Sequence, residues 1–416
     1  MANHSPFFKA TRISAAVAIC IASNAWAQQS PTEITITDKL PARVSGFGDV
    51  PAQELPFSTT TITSATLQDI GAQRVSDALH LDASVTDSYN SPAYWDMLSV
   101  RGYTLDNRYN YRREGLPISA ETMIPMDNKE RIELLKGTSG IQAGTSSPGG
   151  LVNYVVKRAP TNAEQQIRNI TMSYGQGDNR LVAADLGGRF GEVAEFGYRF
   201  NIAHEDLNPY IRDTQGLRQL LSLAMDWRLS PTSKLEWEIE SSQRQQMGVN
   251  AYSLLGSALP APVNGSLNFT RQPWSVPGEF GALTGSLKFK QQLEGGWLWT
   301  TQYGAQRLRT DDRIAFPYGC YDPSPAPDGT YYADRYCPDG SFDLYDFRSE
   351  NEQRRQDAAA INLRGRLEAG GMVHNLNFGL LASRVRNRFD RQAFNYVGSG
   401  NVSGAVALPA DPTLTD

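Results

Sequence analysis

The chain after residue 166 repeats one pattern, in which apolar and polar side chains alternate over about ten residues before a turn interrupts them. In 221–229, leucine, methionine and tryptophan occupy every second position. Successive side chains of a β-strand point to opposite faces, so this alternation predicts a strand with one apolar and one polar face. The pattern recurs nine times, at 167–174, 180–190, 196–202, 221–229, 235–239, 283–289, 297–303, 361–367 and 376–380.

The connections between these segments indicate what kind of sheet they form. Short turns such as "SPTS", "EGG" and "EAGG" alternate with long loops at 206–217, 245–280 and 311–342. An outer-membrane barrel keeps tight turns at one end and long loops at the other, whereas a soluble sandwich has no reason to do so. The charged face at 234–240, which carries one lysine and three glutamates, suits a wet lumen and would destabilise a sandwich core. The pattern therefore predicts a transmembrane antiparallel β-barrel.

Bulk composition is compatible with such a barrel and gives no reason to expect a nucleic-acid partner. No apolar run reaches the ~18 residues that mark a transmembrane helix. Charged residues make up 20% of the chain and the formal net charge is −5, so the basic excess of nucleic-acid-binding proteins is missing.

The N-terminus has the features of a secretory signal. Lys9 and Arg12 precede an apolar stretch at 13–22, and small residues at Ala25 and Ala27 form a cleavage site before Gln28. The apolar stretch is too short to span a bilayer. A lipoprotein signal around Cys20 is the weaker alternative, because the bulky Ile19 precedes it where a small residue is expected. We expect residues 1–27 to be a signal peptide and the protein to be exported.

Cleavage at this site leaves two cysteines, Cys320 and Cys337, in an oxidising compartment. An even number of cysteines in an exported protein suggests a disulfide. A metal site is disfavoured, because two sulfurs without a nearby histidine make a poor ligand set.

Residues 56–160 lack the repeated apolar–polar alternation, and their mixed strand and helix patterns predict a small α+β domain of ~100 residues. A Thr/Ile-rich strand leads into an amphipathic helix with Val75, Leu79 and Leu81 on its apolar side. The stretches "MLSVRGY", "KERIELLKG" and "GGLVNYVVKR" are strand candidates.

The glycine-rich stretch 129–157 is neither a phosphate loop nor a dinucleotide fingerprint. Lys136 precedes Gly137, and no Gly-Lys-Ser/Thr follows. No clean strand–GxGxxG–helix unit surrounds these glycines.

Three segments resemble the TonB-dependent outer-membrane receptors: "TEITIT" at 32–37, "VRGYTLDN" at 100–107, and "MDNKERIELLKGTSGIQAGTSSPGGLVNYVVKRAP" at 126–160. The resemblance implies an arm at 28–44, a plug domain at 45–160, and the N-terminal part of a barrel at 161–416, about nine strands of an expected 22. It also implies that this sequence is the front part of a longer receptor, or a broken reading frame.

The resemblance also assigns roles to individual residues. The arm would carry the TonB box, formed by Glu33, Ile34, Thr35, Ile36 and Thr37. In the plug, the glycines at 137, 140, 144, 149 and 150 would serve tight turns and close backbone approach.

The resemblance is greatest to the ferric-siderophore receptors and implies a transport function. Such receptors lie in outer-membrane lipid and are energised by TonB, with ExbB and ExbD in the inner membrane. Aromatic and basic side chains suit an anionic, ring-bearing chelate, and the candidates are Tyr89, Tyr94, Trp95, Tyr109, Tyr111 and Arg112. Salt bridges from plug to barrel wall are expected from Arg101, Arg131 and Glu133.

Other functions remain open at this point. The same architecture could import cobalamin, a sugar or an aromatic compound, and more remote alternatives are a passive porin or an exported hydrolase. The histidines stand apart from acidic or nucleophilic partners, and no GxSxG or HExxH motif occurs. We therefore expect no enzyme activity, no catalytic residues, no resident cofactor and no metal site.

Overall fold

The computed structural model describes residues 58–88, 91–137, 148–249, 265–323, 329–332 and 335–403. The predicted signal peptide, the TonB box and Tyr89 lie outside the described residues.

The region predicted as the plug is a small α+β unit. Its elements are β1 (Ser58–Thr63), α1 (Ser64–Asp69), α2 (Val75–Leu79), β2 (Val85–Asp87), β3 (Leu98–Val100), β4 (Tyr103–Thr104), β5 (Tyr111–Arg113), β6 (Leu116–Pro117), β7 (Lys129–Lys136) and β8 (Gly150–Val156). One sheet has the order β1-β7-β8-β5-β6, with β5 and β8 parallel, and β2-β3-β4 form a second. Every residue of β8 is buried, which explains its nearly continuous apolar sequence.

The short helices pack on this sheet and supply part of one apolar core. Thr63 caps α1 by accepting a hydrogen bond from the amide of Thr66. Val75 and Leu79 join the core as predicted. Leu81 is 55% exposed, so its predicted place on the apolar side was wrong. The reason is that α2 ends at Leu79, and the helical period no longer positions the residues after it.

Glycine is required where β7 and β8 meet, as the glycine-rich stretch suggested. Gly150 has φ +149°, and a Cβ atom there would lie 2.0 Å from the carbonyl oxygen of Leu135. Gly149 has φ +110° and would meet Leu105 at 2.9 Å. Both positions therefore combine a positive φ with close approach to neighbouring atoms.

The second part of the chain forms an antiparallel large sheet. Its strands are β9 (Ile167–Tyr174), β10 (Arg180–Phe190), β11 (Phe196–Leu207), β12 (Gly216–Ser230), β13 (Ser233–Gln246), β14 (Val276–Gln292), β15 (Leu298–Pro317), β18 (Ser341–Ala369), β19 (Met372–Arg388) and β20 (Gln392–Asn401). A separate hairpin, β16 (Cys320–Asp322) and β17 (Thr330–Tyr332), lies between β15 and β18. From β9 to β15, each strand pairs with the next along the chain, and β18 then pairs with β15, β19 and β20.

All nine predicted segments lie in strands of this sheet apart from Trp297, which directly precedes β15, and the strand pairing places their apolar positions on one face, the outer one. Large exposed side chains on that face include Ile170, Met172, Val182, Leu221, Ile239, Leu283, Leu287, Ile361, Phe378 and Leu380. The predicted combination of an α+β plug and an antiparallel β-sheet is confirmed.

The strands are longer at the long-loop end than the alternation alone suggested. The predicted loop at 311–342 is strand up to Pro317 and again from Ser341. Beyond the ninth predicted segment the chain forms a further strand, β20, which pairs with Ser341–Ser349 of β18. Backbone pairing continues there although the apolar–polar alternation has ended. No helix in the described part of the chain is long and apolar enough to cross a membrane.

Candidate ligand-binding site

Two of the three residues predicted to bridge plug and wall contact each other within the plug. Arg101 is exposed in the turn between β3 and β4, with φ 51°. Arg131 instead pairs with Glu133, Nε to Oε1 at 2.7 Å, two positions along β7. Residues two apart on a strand share a face, which places this ion pair within the plug. Glu133 also accepts a hydrogen bond from the side-chain amide of Asn153 at 2.8 Å. These contacts lie within the plug, and wall contacts of Arg101, Arg131 and Glu133 stay a prediction.

Buried charges of other residues join the plug to the large sheet. Arg113 on β5 donates from Nε and Nη2 to Glu238, at 2.9 and 2.8 Å, and from Nη1 to Glu240 at 2.8 Å. Lys129 donates to the same Glu240 at 2.9 Å. All four side chains are nearly inaccessible to solvent. Glu238 and Glu240 thus belong to a dry interface with the plug, and the expectation of a wet lumen along this face was wrong. Paired charges with several hydrogen bonds offset the cost of burial.

A second buried group centres on Glu114, which also belongs to the plug. Its carboxylate accepts hydrogen bonds from Lys288 on β14 at 2.9 Å and from the amide of Val156 at 2.8 Å. Arg158 lies 3.9 Å away. Burial raises the pKa of Glu114, but the charges of Lys288 and Arg158 and the hydrogen bonds hold it well below its usual range.

Further polar contacts extend along the interface. Lys157 pairs with Asp185 on β10, Asp127 with Arg218 on β12, Ser119 with Gln306 on β15, and Glu121 with Arg354 on β18. The inner face of the large sheet therefore holds the plug through hydrogen bonds and ion pairs spread from β10 to β18.

Two of the predicted ligand candidates lie together at the long-loop end of this interface. The rings of Tyr94 and Trp95 have centroids 3.9 Å apart, and both meet Phe280 of β14 edge-on, at 5.4 and 5.8 Å. The guanidinium of Arg354 lies 5.5 Å from the Trp95 ring. Tyr109 is 42% exposed, with the Arg108 guanidinium 5.4 Å from its ring centroid.

Tyr111 and Arg112 are not on this surface. Tyr111 is fully buried in the plug core, and Arg112 is 4% exposed, with Nη1 donating to the carbonyl oxygens of Tyr109 and Tyr111. Burial lowers the pKa of Arg112 to about 10. The prediction that these two side chains contact a ligand was wrong, because β5 is an inner strand of the plug sheet beside β8.

A cavity of about 130 Å³ opens beside Tyr94. The large sheet contributes most of its wall, including Phe280, Phe316, Phe347 and the buried carboxylate of Asp312. Among the described residues that line it there is no lysine, arginine or histidine.

The sequence reasoning missed the aromatic wall that continues outward from this cavity. Phe394 packs against Phe316 at 5.8 Å and stacks on Tyr345 at 4.5 Å, and Tyr318 contacts both Tyr345 and Phe394. The available signal was aromatic residues two positions apart, at 316 and 318 inside the segment assigned to a loop, and at 345 and 347 just after it. That spacing continues the strand period beyond the membrane-length pattern.

A disulfide closes the segment that contains the β16–β17 hairpin. The structure joins Cys320 and Cys337 in a disulfide with Cα atoms 5.5 Å apart. In the described part of the chain, no cluster of three or more His, Cys, Asp or Glu side chains is arranged to hold a metal ion.

Comparison with known proteins identifies the domain that fills the inner face of the sheet. Residues 51–151 match the family described as the TonB-dependent Receptor Plug Domain. The chain contains a TonB-dependent receptor plug domain. Over 90% of its length it is 23% identical to the ferrichrome receptor FcuA of Yersinia enterocolitica, of which it covers 48%.

Solved structures share the fold of plug and sheet together. The ferric preacinetobactin receptor BauA of Acinetobacter baumannii matches with a TM-score of 0.70 and 19% identity, over 87% of this chain and 52% of that one. The pyoverdine outer membrane receptor FpvA of Pseudomonas aeruginosa PAO1 matches with a TM-score of 0.71 and 18% identity, over 88% of this chain and 52% of that one. The chain therefore shares the fold of these solved receptors, and it spans about half the length of the relatives it matches.

Proposed function

We propose that this protein is an outer-membrane receptor that binds a ferric siderophore and takes it up with energy from TonB. The observation that carries the proposal is the position of the plug, joined to the inner face of the large sheet by buried ion pairs such as Arg113–Glu238. A passive pore needs no domain that blocks its lumen, whereas an energised receptor needs a plug that closes the lumen and can be displaced. The relatives named for ferrichrome, preacinetobactin and pyoverdine support an iron-chelate cargo.

Cargo binding is assigned to the long-loop end of the plug. Tyr94, Trp95 and Phe280 form an aromatic surface there, and Tyr109 is exposed on the plug. Aromatic side chains with few rotatable bonds bind rigid ring-bearing ligands at low cost in conformational entropy.

Energy is proposed to enter through Glu33–Thr37. An extended segment can add to the edge of a sheet in the periplasmic domain of TonB through main-chain hydrogen bonds. TonB would in turn draw on ExbB and ExbD in the inner membrane. This arrangement requires export through the signal peptide at 1–27 and an outer-membrane location.

The test separates cargo binding from energised uptake. Ile34→Pro or Ile36→Pro removes a backbone donor and fixes φ within the proposed strand. Uptake of radioactive iron from a ferric chelate by iron-limited cells should fall to the background of a deletion strain, while chelate binding at the cell surface persists. Unchanged uptake in both variants would refute TonB coupling through this segment. Uptake of cobalamin, a sugar or an aromatic compound in place of iron would reassign the cargo.

A further inference from the structure

The cavity beside Tyr94 combines aromatic walls with one acidic group. Tyr94, Phe280, Phe316 and Phe347 supply the rings, and Asp312 supplies a carboxylate. Ligand pockets are commonly apolar with a few placed polar groups that set specificity. Asp312 is the charged group of this kind among the described lining residues.

The carboxylate of Asp312 is buried without a cationic partner among the described residues. Asp312 is 4% exposed, and the backbone amide of Arg313 is the hydrogen-bond donor to it. It lies on β15 opposite Ser349 of β18, so strand pairing brings no cation to it. A buried carboxylate without a compensating charge is costly, and the packing of the sheet does not account for its presence here.

The surrounding charges do not compensate it. The carboxylates of Asp312 and Glu352 act on the Tyr94 hydroxyl more strongly than the guanidinium of Arg354 does. Arg354 is already engaged, at 2.7 Å from Glu121 and 2.6 Å from Glu352. Burial first, and these carboxylates second, raise the pKa of Tyr94.

Such a site favours one class of ligand group. Aromatic faces attract a cation through their quadrupoles, and a buried carboxylate pairs with an ammonium through charge-assisted hydrogen bonds. An anionic group in the same place would meet only repulsion from Asp312. The sequence reasoning expected an anionic chelate partly because of Arg112, but that guanidinium is occupied by backbone carbonyls inside the plug.

We propose that this cavity receives a cationic arm of the cargo, a primary ammonium in the simplest case, held between the aromatic rings and the carboxylate of Asp312. The inference rests on the proposed function, since it concerns the same cargo, and it adds the chemistry of the group that enters the cavity. Asp312 is then a specificity-determining residue, and Phe280 and Phe316 are the rings that enclose the cation.

The test uses two ferric chelates that differ only in this charge. One is a ferric trihydroxamate whose arm ends in a primary ammonium, and the other is the same chelate with that amine acetylated. Their affinities are measured by quenching of tryptophan fluorescence in protein purified from outer membranes. We expect the ammonium form to bind about tenfold more tightly, which corresponds to ~1.4 kcal/mol.

Variants then assign the preference to the carboxylate. In Asp312→Asn the ratio of the two affinities should fall to about one. Asp311→Asn is the matched control: it is the same change one position away, at a carboxylate that already pairs with Arg309, and the ratio should stay at its wild-type value. Phe280→Leu keeps an apolar wall without the π-face, and should weaken the ammonium form more than the acetylated form even if Asp312→Asn fails to fold.

The outcomes separate this inference from the function on which it rests. Equal binding of the two chelates by the wild-type protein, or a ratio that survives Asp312→Asn, overturns the cationic-arm site. Tight binding of an anionic ferric tricatecholate with no binding of the ammonium chelate overturns it as well, while leaving an iron-chelate receptor in place. Binding of none of the three chelates overturns both proposals.

Discussion

Arg113 of the plug donates from Nε and Nη2 to both carboxylate oxygens of Glu238 on β13, across 125 positions of sequence. Both side chains are almost completely buried. This fork-to-fork contact has the geometry of the strongest class of protein ion pair.

Replacing Arg113 by methionine should loosen the plug. The substitution removes the ion-pair partner of the buried Glu238, and loss of one partner from a buried pair costs ~3–5 kcal/mol. Hydrogen exchange of β5 and β8 amides should accelerate accordingly, and part of the protection should return in the double variant Arg113→Met/Glu238→Gln. Arg366→Met serves as the control, because the Arg366–Glu368 pair is exposed and contributes little. Equal exchange in Arg113→Met and Arg366→Met would contradict the assignment.

Gly150→Ala should destabilise the plug more than a positive φ alone explains. The new Cβ atom would lie 2.0 Å from the carbonyl oxygen of Leu135, so β7 and β8 must separate. Gly102→Ala isolates the conformational part, because Gly102 also has a positive φ but no atom within 4 Å of the added Cβ. We expect ~1–3 kcal/mol for Gly102→Ala and a larger loss for Gly150→Ala in urea unfolding. Similar losses of unfolding free energy in the two variants would show that β7 and β8 accommodate the added Cβ atom without further cost.

Glu114 should make part of the plug's stability sensitive to acid. Its pKa is lowered in the folded protein, so its contribution is fully present above the unfolded value of 4.5 and is lost as pH falls through the folded value. The stability difference between wild type and Glu114→Gln should therefore be constant from pH 7 to pH 5 and shrink below about 4.5. Urea titrations at several pH values measure it, with the exposed Glu164→Gln as control. A difference that stays constant to pH 3 would contradict the role of Glu114.

Cys320 and Cys337 should be recovered as one cross-linked species. Mass spectrometry of a non-reduced digest is expected to find their two peptides joined. Closing a loop with a sequence separation of 17 residues should constrain it by ~3 kcal/mol in the chain-entropy model. Two unreacted thiols in protein taken directly from outer membranes would refute the bond.

The strands of the large sheet could be predicted because each faces two different environments. Apolar positions such as Leu221 and Ile239 are exposed on one face, while Glu238 and Glu240 lie on the other. The alternation of apolar and polar residues in the sequence follows from these two faces. Which plug cation meets which carboxylate could not be predicted in this way. The partners depend on the orientation of the plug against the sheet. Neither the sequence around Arg113 nor the sequence around Glu238 indicates that these two residues pair.

The candidate site was predictable only in part, for a related reason. Tyr94 and Trp95 were recognised as aromatic residues of the plug, and they do lie at the cavity or beside it. Tyr111 and Arg112 have similar chemistry but belong to an inner strand, and a polar strand buried by ion pairs is indistinguishable in sequence from an exposed loop. Phe316 and Phe347 were missed because the strands extend past the region where lipid imposes alternation.

The position of β1 has a mechanical consequence. Among the described strands it lies at the edge of the plug sheet beside β7, and its Ser58 faces Lys136 at the end of the ladder. Tension applied through the residues before Ser58 therefore reaches this ladder before it reaches the ion pairs of Arg113 or Lys129. Those pairs act in parallel on several strands, and force applied along the chain must first detach β1. A pulling experiment on the plug should accordingly show an early extension of only a few residues, followed by a separate, stronger event as the interface gives way.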